Sequence, residues 1–222
     1  MFKFKGISSE DMRVIPEEED AFLTRASKKY DIIDIQGRNG NFYNDNGYSD
    51  VEKSLSLQIL DFSKKDAIFD WLNGNGILEY DGKITNAYFF SEIEPQRMAS
   101  IKRADVSFIR SPFWIKNDDY KIVSDKIINH GNIFSSPKIR LEKVESDVVD
   151  ITIANIRFKY TFNDEEYVEI DCEEYFASYE NLNRNRNLEI GFEFPKISPG
   201  NNQVIIHEGD SVIKIKNEDR WL

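Results

Sequence analysis

The strongest constraint on the fold is an alternation of apolar and polar residues between positions 51 and 59. Val51, Leu55, Leu57 and Ile59 share one parity with Lys53, while the intervening positions are Glu, Ser, Ser and Gln. A repeat of two residues is typical of a β-strand that buries one face and leaves the other in water. The segment therefore predicts a strand in a sheet that has one buried face and one solvent-exposed face.

Similar segments recur along the whole chain and are separated by turn-forming residues. They cover residues 2–4, 77–80, 83–89, 104–109, 139–141, 149–153, 156–162, 168–172, 190–194, 204–207 and 211–216. Asp81-Gly82 predicts a tight hairpin, and Asn163-Asp164-Glu165 predicts a turn that pairs 156–162 with 168–172. Many short strands at this spacing indicate an all-β protein built from β-sandwiches.

One short α-helix is expected near residues 64–73. Ile68, Trp71 and Leu72 recur at helical spacing, and Gly74 follows as a stop signal. Trp71 shares the apolar stripe with Ile68 and Leu72, so we expect it in the core.

The chain is long enough for two domains. It has 222 residues, of which 40% are hydrophobic, and periodicity lapses after residue 110, where a proline and clustered charges occur. We therefore predict a first domain at 1–115, a linker at 116–128 and a second domain at 129–222.

The net charge and the single cysteine limit the classes of function that the chain can have. A net charge of −11 disfavours a surface that binds nucleic acid by neutralising phosphates. Cys172 is the single cysteine and alternates with apolar residues, so we expect a buried thiol. We expect neither a signal peptide nor a membrane span, and hence synthesis in the cytoplasm.

No motif for catalysis, metal binding or cofactor binding is found. His130 and His207 lie outside zinc-binding patterns, and the glycines do not form a phosphate-binding loop. The acidic pairs Glu165-Glu166 and Glu173-Glu174 would point to opposite faces of a strand, so neither pair can flank one bond. We therefore predict no catalytic, metal or cofactor site.

The short run Ile32 to Ile35 is rich in β-forming residues, and the polar segment after it is expected to form a long exposed loop. It contains Gly37, Arg38 and Gly40, and then the run Asn44-Asp45-Asn46-Gly47, all typical of tight turns. Arg38 is either solvated or docked on the acidic edge of a neighbouring subunit.

Taken together, several short motifs resemble those of the distal tail (Dit) proteins of long-tailed phages, also called phage tail component proteins. The first half supplies Phe2, Phe4, Gly6-Ile7-Ser8-Ser9, Asp11-Met12, Gly37-Arg38-Asn39-Gly40, Gly47-Tyr48 and Trp71-Leu72 with Gly74 and Gly76. The second half supplies Asn129 and Gly131, Ser136-Pro137, Ile170-Asp171, Phe194 to Asn202 and Arg220-Trp221. The family usually has proline where this chain has Gln36.

The resemblance implies a structural protein of the virion tail tip. It implies a tail-tube-like β-sandwich or barrel in the first domain, which forms a ring of six copies, and a galectin-like β-sandwich in the second. The implied partners are further copies of the chain, the tail tube protein, the tail-tip protein and a receptor-binding protein, without sequence-specific nucleic-acid binding or membrane insertion. Gly37, Arg38, Gly40 and Tyr48 become candidate subunit-interface residues.

Two other functions stay open at this point. A carbohydrate-binding module that contacts the host surface would display exposed aromatic residues such as Tyr175, Tyr179 or Trp221 in a groove. An enzyme acting on the cell wall would need an acid and a nucleophile that the sequence does not display.

Overall fold

The computed structural model describes residues 1–98, 101–116 and 118–222. The chain divides into two compact units, whose main bodies are residues 1–114 and 115–221. Almost all regular structure is β, and the all-β class predicted from the sequence is confirmed. The assignment of the units to a tail-tube-like and a galectin-like domain stays a prediction.

The described residues of the first unit form ten strands and two short helices. The strands are β1 Phe2–Phe4, β2 Ile7–Ser8, β3 Val14–Pro16, β4 Lys28–Ile33, β5 Phe42–Tyr48, β6 Val51–Ile59, β7 Gly74–Tyr80, β8 Lys83–Phe89, β9 Glu94–Met98 and β10 Ile101–Arg110. The helices are α1 Asp20–Leu23 and α2 Lys65–Trp71, with a 3-10 turn at Phe62–Lys64. A further strand, β11 Trp114–Lys116, lies at the boundary of the units.

The main sheet of the first unit is antiparallel, in the order β2-β1-β7-β8-β10-β6-β3. The strand predicted at 51–59 is present as β6, with Leu55 and Leu57 buried and Lys53 half-buried. Asp81 and Gly82 both have positive φ, at 50° and 69°, and form the predicted tight turn between β7 and β8.

The helix α2 covers the core of this sheet with its apolar side. Ile68 and Trp71 are buried, and the Trp71 indole N–H donates to the Phe4 carbonyl at 2.8 Å. The Trp71 ring stacks on Phe2 with centroids 5.4 Å apart. The core position predicted for Trp71 is confirmed, whereas α1, a single turn, was not predicted.

Twelve strands occur in the part of the second unit that the structure describes. They are β12 Lys121–Ile122, β13 Lys126–Asn129, β14 Lys138–Lys143, β15 Val148–Ile153, β16 Ile156–Thr161, β17 Tyr167–Asp171, β18 Phe176–Tyr179, β19 Leu182–Asn183, β20 Leu188–Ile190, β21 Gly200–Glu208, β22 Ser211–Lys216 and β23 Asp219–Trp221. A 3-10 turn occupies Asn185–Asn187.

Two antiparallel sheets enclose one core in this unit, which makes it a β-sandwich. Their orders are β12-β22-β14-β17-β18-β19 and β13-β21-β15-β16-β20. Apolar side chains from both sheets, such as Leu141, Ile151, Phe158 and Val168, belong to a single buried cluster. Cys172 belongs to the same cluster and is 2% exposed, so the buried thiol predicted for it is confirmed.

The structure differs from the sequence predictions at three places in this unit. Segments 156–162 and 168–172 do not pair; β16 pairs with β15 and β20, whereas β17 pairs with β14 and β18, in the other sheet. Alternation specifies which face is buried but not which strand lies alongside. The strand predicted at 190–194 ends at Ile190, and Phe192 is fully exposed.

The third difference concerns the segment assigned to the linker. Apart from residue 117, which lies outside the described residues, this segment contains β12 and most of β13. These strands pair with β22 and β21, about 90 and 75 positions later in the chain. Strands of two to four residues are too short to show a periodicity, and their partners are distant in sequence.

Candidate subunit interface

The segment expected to be a long loop is instead a β-hairpin that projects from the first unit. Strands β4 and β5 pair with each other and form a separate two-stranded sheet. We call residues 28–48 the hairpin arm. The prediction of a loop across 42–48 was wrong, because Asn44 to Gly47 form part of β5 and not a turn.

Glycines and local hydrogen bonds explain why this polar sequence forms a hairpin. Gly37 and Gly40 lie at the tip with φ of 85° and 82°, a region that side chains other than glycine rarely adopt. The Arg38 N–H donates to the Ile35 carbonyl at 3.0 Å and closes the turn. Near the base, an irregularity in pairing between Lys28 and Tyr30 accommodates the extra residue.

Ion pairing and amide bonds align the two strands of the arm. Lys28 Nζ lies 2.7 Å from Asp45 Oδ2, and the hydrogen bond that Lys28 donates to Asp45 raises the pKa of Lys28. Asn46 Nδ2 donates to Asp31 Oδ2 at 2.6 Å. These contacts are exposed to solvent, so each stabilises the hairpin only weakly.

The arm presents large apolar side chains to solvent on both faces. Tyr30, Ile32 and Tyr43 share one face, where the two tyrosine rings meet edge to face with centroids 5.5 Å apart. Ile33 and Phe42 pair on the opposite face. All five are between 44% and 59% exposed, which is unusual for so many neighbouring apolar residues on one element.

The four residues proposed from the sequence occupy two different places on the arm. Gly37, Arg38 and Gly40 lie at the tip, whereas Tyr48 lies at the base. Tyr48 is half-buried and packs edge to face on Phe113, with centroids 5.4 Å apart. Ile32 and Ile33 belong to the short β-rich run predicted at 32–35, whereas Tyr30, Phe42 and Tyr43 were not proposed as interface residues.

The aromatic residues considered for sugar binding have ring partners within the second unit. Tyr179 packs edge to face on Tyr167, with centroids 5.0 Å apart, and Tyr175 on Phe194, at 5.2 Å. Trp221 is half-buried in β23. Both tyrosine rings are thus held against another ring of the same unit.

One carboxylate from each acidic pair noted in the sequence forms an ion pair within the second unit. Glu165 is buried, forms an ion pair with Arg184 and accepts a hydrogen bond from the Asn163 N–H at 2.7 Å. Glu173 forms an ion pair with Arg220. Glu165 and Glu173 therefore have ion-pair partners within the second unit.

The remaining candidate chemistry is limited in the part of the chain that the structure describes. His207 Nε2 lies 2.8 Å from the Thr152 hydroxyl. No group of three His, Cys, Asp or Glu side chains with metal-binding geometry occurs among the described residues. Within the same residues, no helix is long and apolar enough to cross a bilayer.

Comparison with known proteins gives a family match in the second unit and a fold match along the whole chain. Residues 130–221 match the family model for the siphovirus-type tail component, C-terminal domain. A search of curated proteins finds no match.

Two solved structures are similar to the whole chain. The Dit protein of phage SPP1, described as a hub of the adsorption apparatus in phages that infect Gram-positive bacteria, has a TM-score of 0.75 at 10% identity, over 100% of this chain and 98% of that one. A chain of the phage P2 baseplate has a TM-score of 0.47 at 8% identity, over 95% and 92%, which is too low to support an argument. The second unit, over residues 130–221, thus matches the family model of the siphovirus-type tail component, and the chain along its whole length has a fold similar to that of a Dit protein.

Proposed function

We propose that the chain is a distal-tail hub protein whose copies assemble into a closed ring, with six as the expected number. The ring would join the tail tube to the tail-tip protein and offer a docking site for a receptor-binding protein. Its role is structural, without a catalytic step. The family-model match in the second unit and the Dit-like fold of the whole chain support the location in the virion tail, and the hairpin arm supports self-assembly.

The exposure of the hairpin arm is the observation that carries this proposal. Every residue from 27 to 47 is exposed in the single copy. An isolated two-stranded hairpin is at best marginally stable in water, and it needs a third strand or a packed face to persist. The apolar faces of the arm are therefore most simply explained by a neighbouring copy that covers them.

The one-sided character of the arm supports a ring. Among the described residues, the arm forms a two-stranded sheet of its own, and no second two-stranded sheet of this kind could return the same contact. A contact between two different surfaces of identical copies is head to tail, and it gives a closed ring when the rotation per copy divides a full turn. The net charge of −11 suits a passage for DNA, because like charges prevent adhesion.

Mass measurement across a range of concentrations tests the proposal. We expect the intact chain to form a discrete multiple of the single-copy mass, alone or with the tail tube and tail-tip proteins added. A variant in which residues 30–46 are replaced by a short Asn-Gly turn should stay a single copy. Because those residues are exposed, the variant should keep its far-ultraviolet circular dichroism apart from the loss of the hairpin.

Two results would contradict the proposal. One is an intact chain that stays a single copy at every concentration and with both partners present. The other is an arm-less variant that assembles as well as the intact chain.

A further inference from the structure

An open groove on the outer face of the first unit's main sheet is the second unusual surface of that unit. It has a volume of about 440 Å³ and is lined by Asp50, Asn75, Ile77, Asn86, Tyr88 and residues at the end of β10. In the register of β7 and β8, Asn75 pairs with Tyr88 and Ile77 with Asn86. These four side chains therefore lie side by side on one face.

The floor of the groove is apolar. Ile77 and Tyr88 are 46% and 45% exposed, and the Tyr88 ring stacks on Phe90 with centroids 6.0 Å apart. Large apolar side chains that stay half exposed on a sheet face are typical of surfaces that bind another protein.

The rim of the groove carries one unpaired charge. Arg110 also lines the groove, but its guanidinium donates to the backbone carbonyls of Thr24 and Ser111 at 2.5 and 2.9 Å. Asp50 is exposed and has no ion-pair or hydrogen-bond partner among the described residues. The groove thus combines an apolar floor with a free carboxylate at its edge.

The tip of the hairpin arm has the complementary composition. Arg38 is exposed, and its guanidinium has no partner within the described part of the chain. Ile33 and Ile35, each 44% exposed, precede it on the approach to the tip. A free cation next to exposed apolar side chains is complementary to a free carboxylate above an apolar floor.

Distance excludes this contact within one copy. Asp50 follows Tyr48 at the base of the arm, whereas Arg38 lies beyond the six residues of β4. A strand rises about 3.3 Å per residue, so tip and base are separated by roughly 20 Å. Each copy thus offers the tip at one end of its arm and the groove near the other end.

We propose that the arm tip of one copy docks in the groove of the next, with Arg38 paired to Asp50 and Ile33 and Ile35 packed on Ile77 and Tyr88. This inference rests on the proposed ring and identifies the two surfaces that meet in it. Neither surface is complementary to itself, so the contact adds copies in one direction, and it closes a ring when the rotation per copy divides a full turn.

Opposite charge reversals at the two sites test the pairing. In Arg38→Glu the tip faces an acidic rim, and in Asp50→Arg the groove faces a basic tip, so each variant alone should assemble at least ~10-fold more weakly than the unmodified chain. Both residues are exposed, so each variant should fold. In an equimolar mixture, every reversed tip can meet a reversed groove and every native tip a native groove. Assembly should therefore return only on mixing, in rings with an even number of alternating copies.

A matched control carries the same charge changes elsewhere. Lys126→Glu and Glu193→Arg alter exposed residues of the second unit, and neither variant should weaken assembly, alone or mixed. The proposal is overturned if Arg38→Glu and Asp50→Arg assemble like the unmodified chain, or if both fail and mixing does not restore assembly. An unmodified chain that never assembles would refute the ring itself, whereas a ring indifferent to these charges would refute only this pairing.

Discussion

Substitution of Ile32 on the hairpin arm should weaken assembly by an amount that follows from its exposure. Ile32 is 57% exposed in the single copy, and full burial of an isoleucine side chain is worth about 1.5–3 kcal/mol. A neighbouring copy that covers the rest of the side chain would therefore gain about 1 kcal/mol from it. Ile32→Ala should weaken each contact about fivefold.

Ile32→Asp should have a much larger effect. It loses the same apolar contribution and also places a carboxylate without a partner in a covered interface, which costs several kcal/mol. We expect a loss of at least ~3 kcal/mol for each contact, equivalent to more than ~100-fold in the dissociation constant. In light scattering, the concentration at which half of the chain is assembled should rise by that factor.

Ile122→Asp provides the control for this series. Ile122 is 74% exposed on a short strand of the second unit, so the change has the same chemistry outside the arm and should leave assembly unchanged. Neither variant should alter the free energy of unfolding of the single copy by more than about 0.5 kcal/mol, because exposed positions tolerate substitution. The reasoning fails if Ile32→Asp assembles like the unmodified chain, or if the control weakens assembly equally.

Three further predictions concern stability, each measured by chemical denaturation. Gly209→Ala should destabilise the second unit by at least ~3 kcal/mol, because φ is 83° and an added Cβ would lie 2.0 Å from the Val148 carbonyl oxygen. The control Gly200→Ala, where φ is 90° but the added Cβ meets no atom, should cost only about 1 kcal/mol. Equal losses of stability in the two variants would contradict this prediction. Trp71→Phe should cost about 1–2 kcal/mol of stability through the lost hydrogen bond to Phe4, and Trp71→Ala should cost about 3–5 kcal/mol. If both variants lost less than about 0.5 kcal/mol, Trp71 would not be a core residue. The hydrogen bond from Lys214 lowers the pKa of Glu142, so the stabilisation from this ion pair is present above the usual glutamate pKa and is lost as pH falls through the lowered value. Glu142→Gln should therefore be less stable than the unmodified chain by up to about 1 kcal/mol at neutral pH and equally stable in acid. A difference in stability that stays constant with pH would refute the assignment.

The sequence predicted individual strands well where local residues alone determine them. The alternation at Val51 to Ile59 and the Asp81-Gly82 turn need no information from distant parts of the chain. Helix α2 was also placed correctly, because Ile68 and Trp71 lie on one stripe.

Features that depend on distant partners were not predicted. The strands around Phe158 and Val168 alternate equally well, but they belong to opposite sheets, and only long-range pairing decides this. Strand β5 was missed because Asn44 and Gly47 are common in turns, and here the pairing with β4 outweighs that local preference. Arg38 was proposed as a candidate contact residue from its position between Gly37 and Gly40, and that stays a prediction, whereas the groove with Asp50 combines residues from three separate strands.

The hairpin arm has a consequence for the time between synthesis and assembly. Until another copy covers it, the hairpin arm around Tyr43 exposes apolar side chains and the unpaired backbone groups of its strand edges. A β-strand of another chain could pair with such an edge. A surplus of acidic side chains over the whole chain slows such encounters by mutual repulsion, and dissolved salt weakens that repulsion. Newly synthesised chains should therefore aggregate more readily at high salt concentration. Productive tail assembly would then depend on how quickly each new copy is incorporated.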